Sequence, residues 1–419
     1  MDKYLVDNTF FTSDNNQSRN LNLFWIGIII NIFSFSVSRA INLYFIQFQF
    51  LQIVAYILIS FTYSKLIQSK IEDRYLAFIY FLYCTWLFIL VLKGIKFNYI
   101  FLKSFLFDLG YGGIIYLVPL VLLFKKNIFF YKKVFNFIVV LNIFYVAFVI
   151  IFLRYLLNSD RTSLTSQGVV ELSTDLSFPS GFILLTYAYH SNKKKLLAAG
   201  IILLTLFFAI FRARRGLILM TSGIIISSYI LYLFTAKSKF LILYLSILII
   251  FLGAIYATNV YKAEKGIFGF LMERGKEDTR TEVEIYFYDN MKTKDWIIGR
   301  GINGEYFCPD IEPNQATNYR DVIETGYLQI ILKGGIISLG LLLLISIPAI
   351  IKGLFYSKNI LSKAAALWIL MALLSLYPTI IVSFSLRYIL VWISIGICYS
   401  KKIRRIPEKE MRGYFQTKE

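Results

Sequence analysis

Three arginines, Arg212, Arg214 and Arg215, lie within FRARRGLILM at 211–220, in a gap between two apolar segments. A guanidinium is permanently charged and carries a rigid fork of N–H donors that matches phosphate oxygens two at a time. Arg212 and Arg215 are three residues apart, so a continuing helix would turn both forks to one face as a diphosphate clamp. The blander use of the cluster is contact with lipid phosphates. A second group stands in ERGKEDTRTEVEIYFYDNMKTKDWIIGRGINGEYFCPDIEPNQATNYRDVIETGYLQIILKGG at 273–335. It supplies Arg280, Arg320 and Lys333 as cations, and Glu324 as a carboxylate able to take a proton from a hydroxyl. Arg320 and Glu324 are four apart, which also suits a salt bridge along one helix. Lys333 falls about 13 Å beyond Glu324 at the helical rise, where a charge paired with a neighbouring helix would serve as well.

Other chemistries have less to stand on. The single histidine, His190, sits beside a lysine run and reads as a surface residue, so no Ser-His-Asp arrangement can form around it on the far side of the chain. Of the three cysteines, Cys84 and Cys398 fall in apolar runs and Cys308 stands alone, which suggests neither a disulfide framework nor a metal cluster. Asp278, Asp289, Asp295, Asp310 and Asp321 form no Asp-x-Asp pair, so a metal-dependent sugar-transfer site has no support and no cofactor is expected. GRGING at 299–304 lacks the strand–turn–helix frame of a dinucleotide site, and its glycines read as turn formers.

The elements that must hold these residues are membrane helices. The 419-residue chain is 58% hydrophobic and 16% charged, against about 25% charged in soluble domains. Its net charge of +19 fits the positive-inside bias of membrane proteins, without nucleic acid as a partner. Apolar runs give about twelve spans, beginning near Leu21, Phe48, Leu76, Gly113, Val134, Pro179, Leu196, Gly216, Phe240, Thr325, Ala364 and Leu386. Every second break is rich in lysine: 64–74, 125–133, 191–195, 235–239, 357–363 and 401–409. The expected architecture is therefore all-α, with spans over 21–256 and 325–400, both termini cytoplasmic, and a tail at 401–419. Residues 257–324 form one large extracytoplasmic loop before the third-last span, and FRARRG lies on the same outer side. Nothing before the first span resembles a cleavable signal, so that span is expected to stay as an anchor. The basic, aromatic stretch at 93–113 suits a position in the interface, and the segment from Pro179 to His190 is short for a span. Within the loop, Val283, Tyr286 and Phe287 predict an amphipathic helix over 281–291. Gly334–Gly335 is placed to loosen the span that follows.

Many spans, a large late outer loop, arginines at the mouth of an earlier span and a Gly-x-Gly turn before the next helix resemble the O-antigen polymerase (Wzy-type) and O-antigen ligase superfamily of bacterial membrane proteins. Arg215-Gly216 resembles that family's Ser-Arg-Gly at a helix start. Arg280 in DTRTEVEIYF resembles its loop arginine, GRGINGEYF its glycine turn, and ETGYLQIILKGGIISLG the following span. The likeness runs from about Arg212 to Leu344. The ligases carry His-Asn-x-Tyr-Leu where this chain has Glu324-Thr-Gly-Tyr-Leu, which favours a polymerase and suggests Glu324 as the proton acceptor.

The resemblance implies a metal-independent glycosyltransferase at the outer face of the bacterial inner membrane. It would move a glycan from polyprenyl diphosphate to a sugar hydroxyl of another lipid-linked repeat unit, with inversion. Glu324, Arg215 and Arg280 are the expected catalytic residues. Arg212, Arg214, Arg320, Tyr327 and Lys333 are expected to bind diphosphate or glycan. The partners would be the lipid-linked oligosaccharide, the bilayer and a chain-length regulator. Its rivals are a ligase, a peptidoglycan glycosyltransferase of the shape-and-division kind, and, from another class, a lipid-linked oligosaccharide flippase. A flippase is expected to show broken helices paired between its two halves, and the sequence reading finds no such pair.

Overall fold

The computed structural model describes residues 15–40, 46–68, 71–107, 112–158, 164–212, 214–235, 280–309, 318–380 and 382–416. These are almost entirely helical. The first part of the chain forms α1 (Asn15–Ala40), α2 (Ile46–Leu66), α3 (Arg74–Gly94), the short α4 (Tyr99–Phe107), a 3₁₀ segment (Gly113–Leu123), α5 (Ile128–Leu156), α6 (Leu164–Ser177), α7 (Ser180–Leu185), α8 (Asn192–Phe211) and α9 (Arg215–Thr235). The expected span from Phe240 and the first part of the insert lie outside the described residues. Next come α10 (Thr281–Asn290), α11 (Thr293–Ile298), two paired strands β1 (Tyr306–Phe307) and β2 (Tyr319–Arg320), α12 (Gly326–Phe355), α13 (Ile360–Ser375), α14 (Leu386–Tyr399), α15 (Lys401–Arg405) and α16 (Glu408–Gln416).

Among the described residues, six helices are long and apolar enough to cross a membrane: most of α1, then α3, α5, α8, α9 and α12. The 3₁₀ segment, α13 and α14 are apolar but shorter. Phe78, Phe81 and Phe88 of α3 are each more than 60% exposed. Large aromatic surface left outside a packed core suits lipid rather than water. These helices mark a membrane protein.

Helix starts follow their caps. Asp73 accepts from the Leu76 amide at 3.0 Å, Asn127 from Phe130 at 2.8 Å and Asn359 from Ser362 at 2.9 Å, each satisfying an orphan N–H of a first turn. The caps also tie elements together. Asp73 Oδ2 takes a 2.6 Å bond from Lys352 at the far end of α12. Asn359 donates to the carbonyls of Ile403 at 2.7 Å and Ile406 at 3.0 Å.

Among the described residues, the lysine-rich breaks gather at one end of the bundle; residues 236–239 of the TAKSK break lie outside the described residues. At that end Gln17 donates to the Lys125 carbonyl, Ile67 bridges Phe124, Lys402 meets Glu72 at 3.1 Å and Lys194 meets Asn136 at 3.1 Å. Thr235, the first residue of the TAKSK break, contacts Tyr187. The C-terminal α16 docks at this end too: Glu408 accepts from Tyr189 at 2.9 Å and from the Ile360 amide at 2.7 Å.

The structure departs from the sequence reading at three places. The short segment at Pro179 is the continuation of α6, whose LTSQGVVELSTDLS is too polar to register as a span, yet packs against α1, α5 and α8. His190 is packed instead of lying free on the surface. Its ring stands edge-on to Phe135 at 4.6 Å and bonds Thr186 at 2.9 Å. Finally, α6 and α7 part at Phe178–Pro179, which the sequence reading does not mark, while the break of α12 at Gly335 falls where Gly334–Gly335 was expected to loosen the span. Apolar residues run through that second break, so a hydropathy average passes over it.

Burial, with Lys194 and Lys195 nearby, pushes the His190 pKa down to about 3. The unfolded chain therefore binds the proton first, and stability contributed by neutral His190 is fully present above about pH 6.5. It is expected to be lost as pH falls from there toward 3. His190→Gln should flatten that part of a thermal-stability profile against pH; an unchanged acid limb would contradict the assignment.

Candidate functional site

The insert builds a small core of its own on the first turns of α12. Phe287 is fully buried, with Trp296 at 5.7 Å and Tyr306 at 5.6 Å between ring centroids. Val283, Met291, Ile323, Leu328 and Leu332 close around them. The amphipathic helix expected at 281–291 is thus α10, with Val283 and Phe287 on its buried face.

GRGING is a docking turn. At Gly335 the backbone takes φ 68° and ψ −178°, which breaks α12 and turns carbonyls out of the helical ladder. The Arg300 and Gly301 amides donate to Leu332 and Lys333 at 2.8 Å each, and Trp86 Nε1 donates to Gly334 at 3.0 Å. Lys93 of α3 closes the turn on the Gly299 carbonyl at 2.5 Å. Gly299 itself stands at φ 64° with Lys333 and Gly334 pressed against its Cα, a place only glycine fills without strain. Buried backbone groups require partners, and here the turn and the break supply one another.

On this platform three distant segments converge on the connection after α13. Arg280, just before α10, donates from Nη2 to Pro378 O at 2.9 Å and from Nη1 to Tyr377 O at 3.4 Å. Its Nε lies 3.7 Å from Glu324 Oε2. Gly216, the neighbour of Arg215, packs so closely on Pro378 that a Cβ there would stand 3.0 Å from the proline Cβ. Gly326, opening α12, packs on Leu376 and Thr379, and the Tyr327 amide donates to Leu376 O at 3.3 Å. Arg215, Arg280, Glu324 and Tyr327 therefore belong to one neighbourhood. Arg215 is exposed and the Glu324 side chain is 62% exposed, so the Arg280–Glu324 pair is open to solvent and adds less than about 1 kcal/mol to stability.

A second carboxylate joins them. Thr325 Oγ1 donates to Glu284 at 2.5 Å, and the Tyr327 hydroxyl lies within electrostatic reach of Glu284, Tyr288 and Tyr377. Tyr288 stacks on Trp296 at 5.9 Å and 10°, and Tyr377 is 69% exposed. Glu284 stood in plain view in TEVEIYF, but its role depends on the contact with Thr325, which sequence spacing does not reveal.

Other expected site residues are placed differently. Arg212 does not share a helical face with Arg215, because α8 ends at Phe211 and α9 begins at Arg215. Arg212 is instead buried and donates to the Asn158 carbonyl at the end of α5. Arg214, half-buried, anchors the break by its amide on Ala209 O at 2.9 Å. Arg320 and Glu324 form no helical pair, since Arg320 is in β2 opposite Tyr306 and helix resumes only at Gly326. Lys333 donates to Gly304 O at 3.1 Å and lines a cavity of about 70 Å³ with Tyr83, Tyr116, Gln329, Ser338 and Ile380.

Among the described residues no three His, Cys, Asp or Glu side chains are grouped to hold a metal ion. Comparison with protein-family models, curated proteins and solved structures finds no match to this chain.

Proposed function

We propose that this membrane protein polymerises polyprenyl-diphosphate-linked oligosaccharide repeat units at the extracytoplasmic face of a bacterial inner membrane. The observation that carries the reading is the convergence on Pro378 of Arg280, paired with Glu324, and of Gly216 beside Arg215, at the bundle end opposite the described lysine-rich breaks. Positive-inside bias assigns those breaks to the cytoplasm, which leaves the arginine end outside.

In this reading the leaving group is a lipid diphosphate, and its departure builds negative charge. Arg280 is already oriented by two carbonyls and Glu324, so its cation needs little rearrangement to meet that charge. Arg215, next to the Gly216 that packs on Pro378, supplies a second guanidinium. Glu324 takes the proton of the attacking sugar hydroxyl, the glycosidic bond forms on the face away from the diphosphate, and the anomeric centre inverts. Tyr288, Tyr327 and Tyr377 give the sugar rings aromatic surface, and Glu284 gives a hydroxyl an acceptor. Arg212, buried on Asn158, supports the helix break rather than the substrate.

A second reading, from another class, is favoured by one observation: each half of the chain has a broken helix, as flippases of lipid-linked oligosaccharides would need. The test is the glycan profile of a strain lacking the chain, complemented with wild type or with Arg215→Ala. Single repeat units replacing a ladder, restored only by wild type, support the polymerase. Repeat units held on the cytoplasmic side mean a flippase, and full-length polymer left on polyprenyl lipid means a ligase. Arg215→Lys keeps charge and loses the fork. It is expected to cost about tenfold in ladder formation, the scale of one charge-assisted hydrogen bond; full activity would exclude a bidentate role.

A further inference from the structure

Arg387 is the second residue of α14, only 8% exposed, and no sequence signal marked it. Its Nη2 donates to the Ile380 carbonyl at 2.9 Å, and its guanidinium lies 5.6 Å from the centre of the Phe178 ring, at the break between α6 and α7. Asp175 of α6 is the acidic group within its electrostatic reach. Its Nε is buried with no hydrogen-bond partner among the described residues. A guanidinium in such a place is costly, and where one is kept it holds something.

What it holds is the stretch that Arg280 also grips. From Leu376 to Ile380 the chain is not helical, and four of its five carbonyls accept hydrogen bonds: Leu376 from the Tyr327 amide, Tyr377 and Pro378 from Arg280, and Ile380 from Arg387. We propose that Arg387 is a positioning residue for the Arg280 site: by fixing Ile380 from within the bundle, it sets the direction of the Tyr377 and Pro378 carbonyls that aim the Arg280 guanidinium. Arg387 touches no reacting atom and acts through the connection. The kinetic part of this inference rests on the polymerase reading; the anchoring part does not.

The test uses the full chain in nanodiscs, comparing wild type, Arg387→Lys, Arg280→Ala and the double variant. Hydrogen exchange is followed in the peptide covering 376–385, and polymerisation is followed with membranes bearing the native lipid-linked unit. In folded Arg387→Lys, exchange in that peptide is expected to quicken about tenfold while α13 and α14 stay protected. Turnover should fall about tenfold with KM nearly unchanged, as for a misaimed group acting on the transition state. In the Arg280→Ala background the same substitution should lower turnover by less than about threefold, because both act through one contact. Unchanged exchange in a folded variant overturns the proposal, and so do effects that multiply fully in the double variant. If the lysine variant does not fold, Arg387→Met takes its place; if neither folds, Arg387 is a folding element and the proposal fails. A wild type that polymerises nothing would remove the polymerase reading, while the exchange comparison still decides the anchoring role.

Discussion

Arg280→Ala is expected to reduce polymerisation by about 10²–10³-fold, the usual loss when one preorganised donor to developing charge is removed. The expectation is large because the residue does two things at once. It carries the cation, and it joins Glu324 to the Tyr377 and Pro378 carbonyls. The loss should appear in kcat and kcat/KM alike, since the interaction strengthens only as the diphosphate departs. Arg280→Lys should recover part of it, because an ammonium cannot reach two carbonyls and a carboxylate from one fixed plane. Arg320→Ala is the informative comparison. Arg320 is held in β2 opposite Tyr306 rather than in the segment before α10, so its removal should cost under tenfold. The checking measurement is ladder formation in purified membranes, with the amount of folded protein matched between variants. Equal losses for Arg280→Ala and Arg320→Ala would mean that general positive charge, not the aimed fork, is what the site uses.

Composition and spacing do not separate those two arginines, each one cation in a loop; only the family resemblance set Arg280 apart. What sequence could carry was periodicity and charge alternation. The α10 face set by Val283 and Phe287 follows from a 3.6-residue period, and the breaks rich in lysine do collect at one end of the bundle. Gly334–Gly335 was readable as a weak point because glycine tolerates what other residues do not. The contacts that sort the arginines are of another kind. Arg212 goes to Asn158, 54 positions away; Arg280 goes to Pro378, 98 away; and Arg387 lies in an apolar run where one charge hardly moves a hydropathy average. A helical spacing argument also failed twice for one reason. Arg212/Arg215 and Arg320/Glu324 have the right intervals, but helix stops inside the first pair and has not started at the second. Spacing predicts a shared face only where the backbone between is continuous.

Gly335→Ala is expected to have the largest effect on stability, because the break in α12 and the glycine turn form one interlocked unit. With φ at 68° and ψ at −178° the backbone lies in a region that is nearly glycine-only, where another residue costs about 1–3 kcal/mol. A Cβ at that position would also overlap the Ile297 carbonyl and the Ile298 amide. Those are backbone atoms, so no rotamer change relieves the clash. The alternative for the chain is to straighten α12, which pulls Leu332 and Lys333 away from the Arg300 and Gly301 amides. Each such hydrogen bond is worth about 1 kcal/mol net, and more where a buried group is left unpaired. The combined loss, on the order of 4 kcal/mol, is a large share of the roughly 5–15 kcal/mol that keeps a domain folded. Gly340, five residues further along the same helix, supplies the control: a Cβ there meets nothing within 4 Å. Gly340→Ala should be neutral or gain about 0.5–1 kcal/mol from reduced chain entropy. Thermal unfolding of the two variants in nanodiscs, read beside the wild type, separates a general intolerance of α12 to alanine from strain at the break. A Gly335→Ala variant as stable as Gly340→Ala would show that GRGING can leave its carbonyls without consequence. The platform under Arg280 and Glu324 would then owe nothing to that turn.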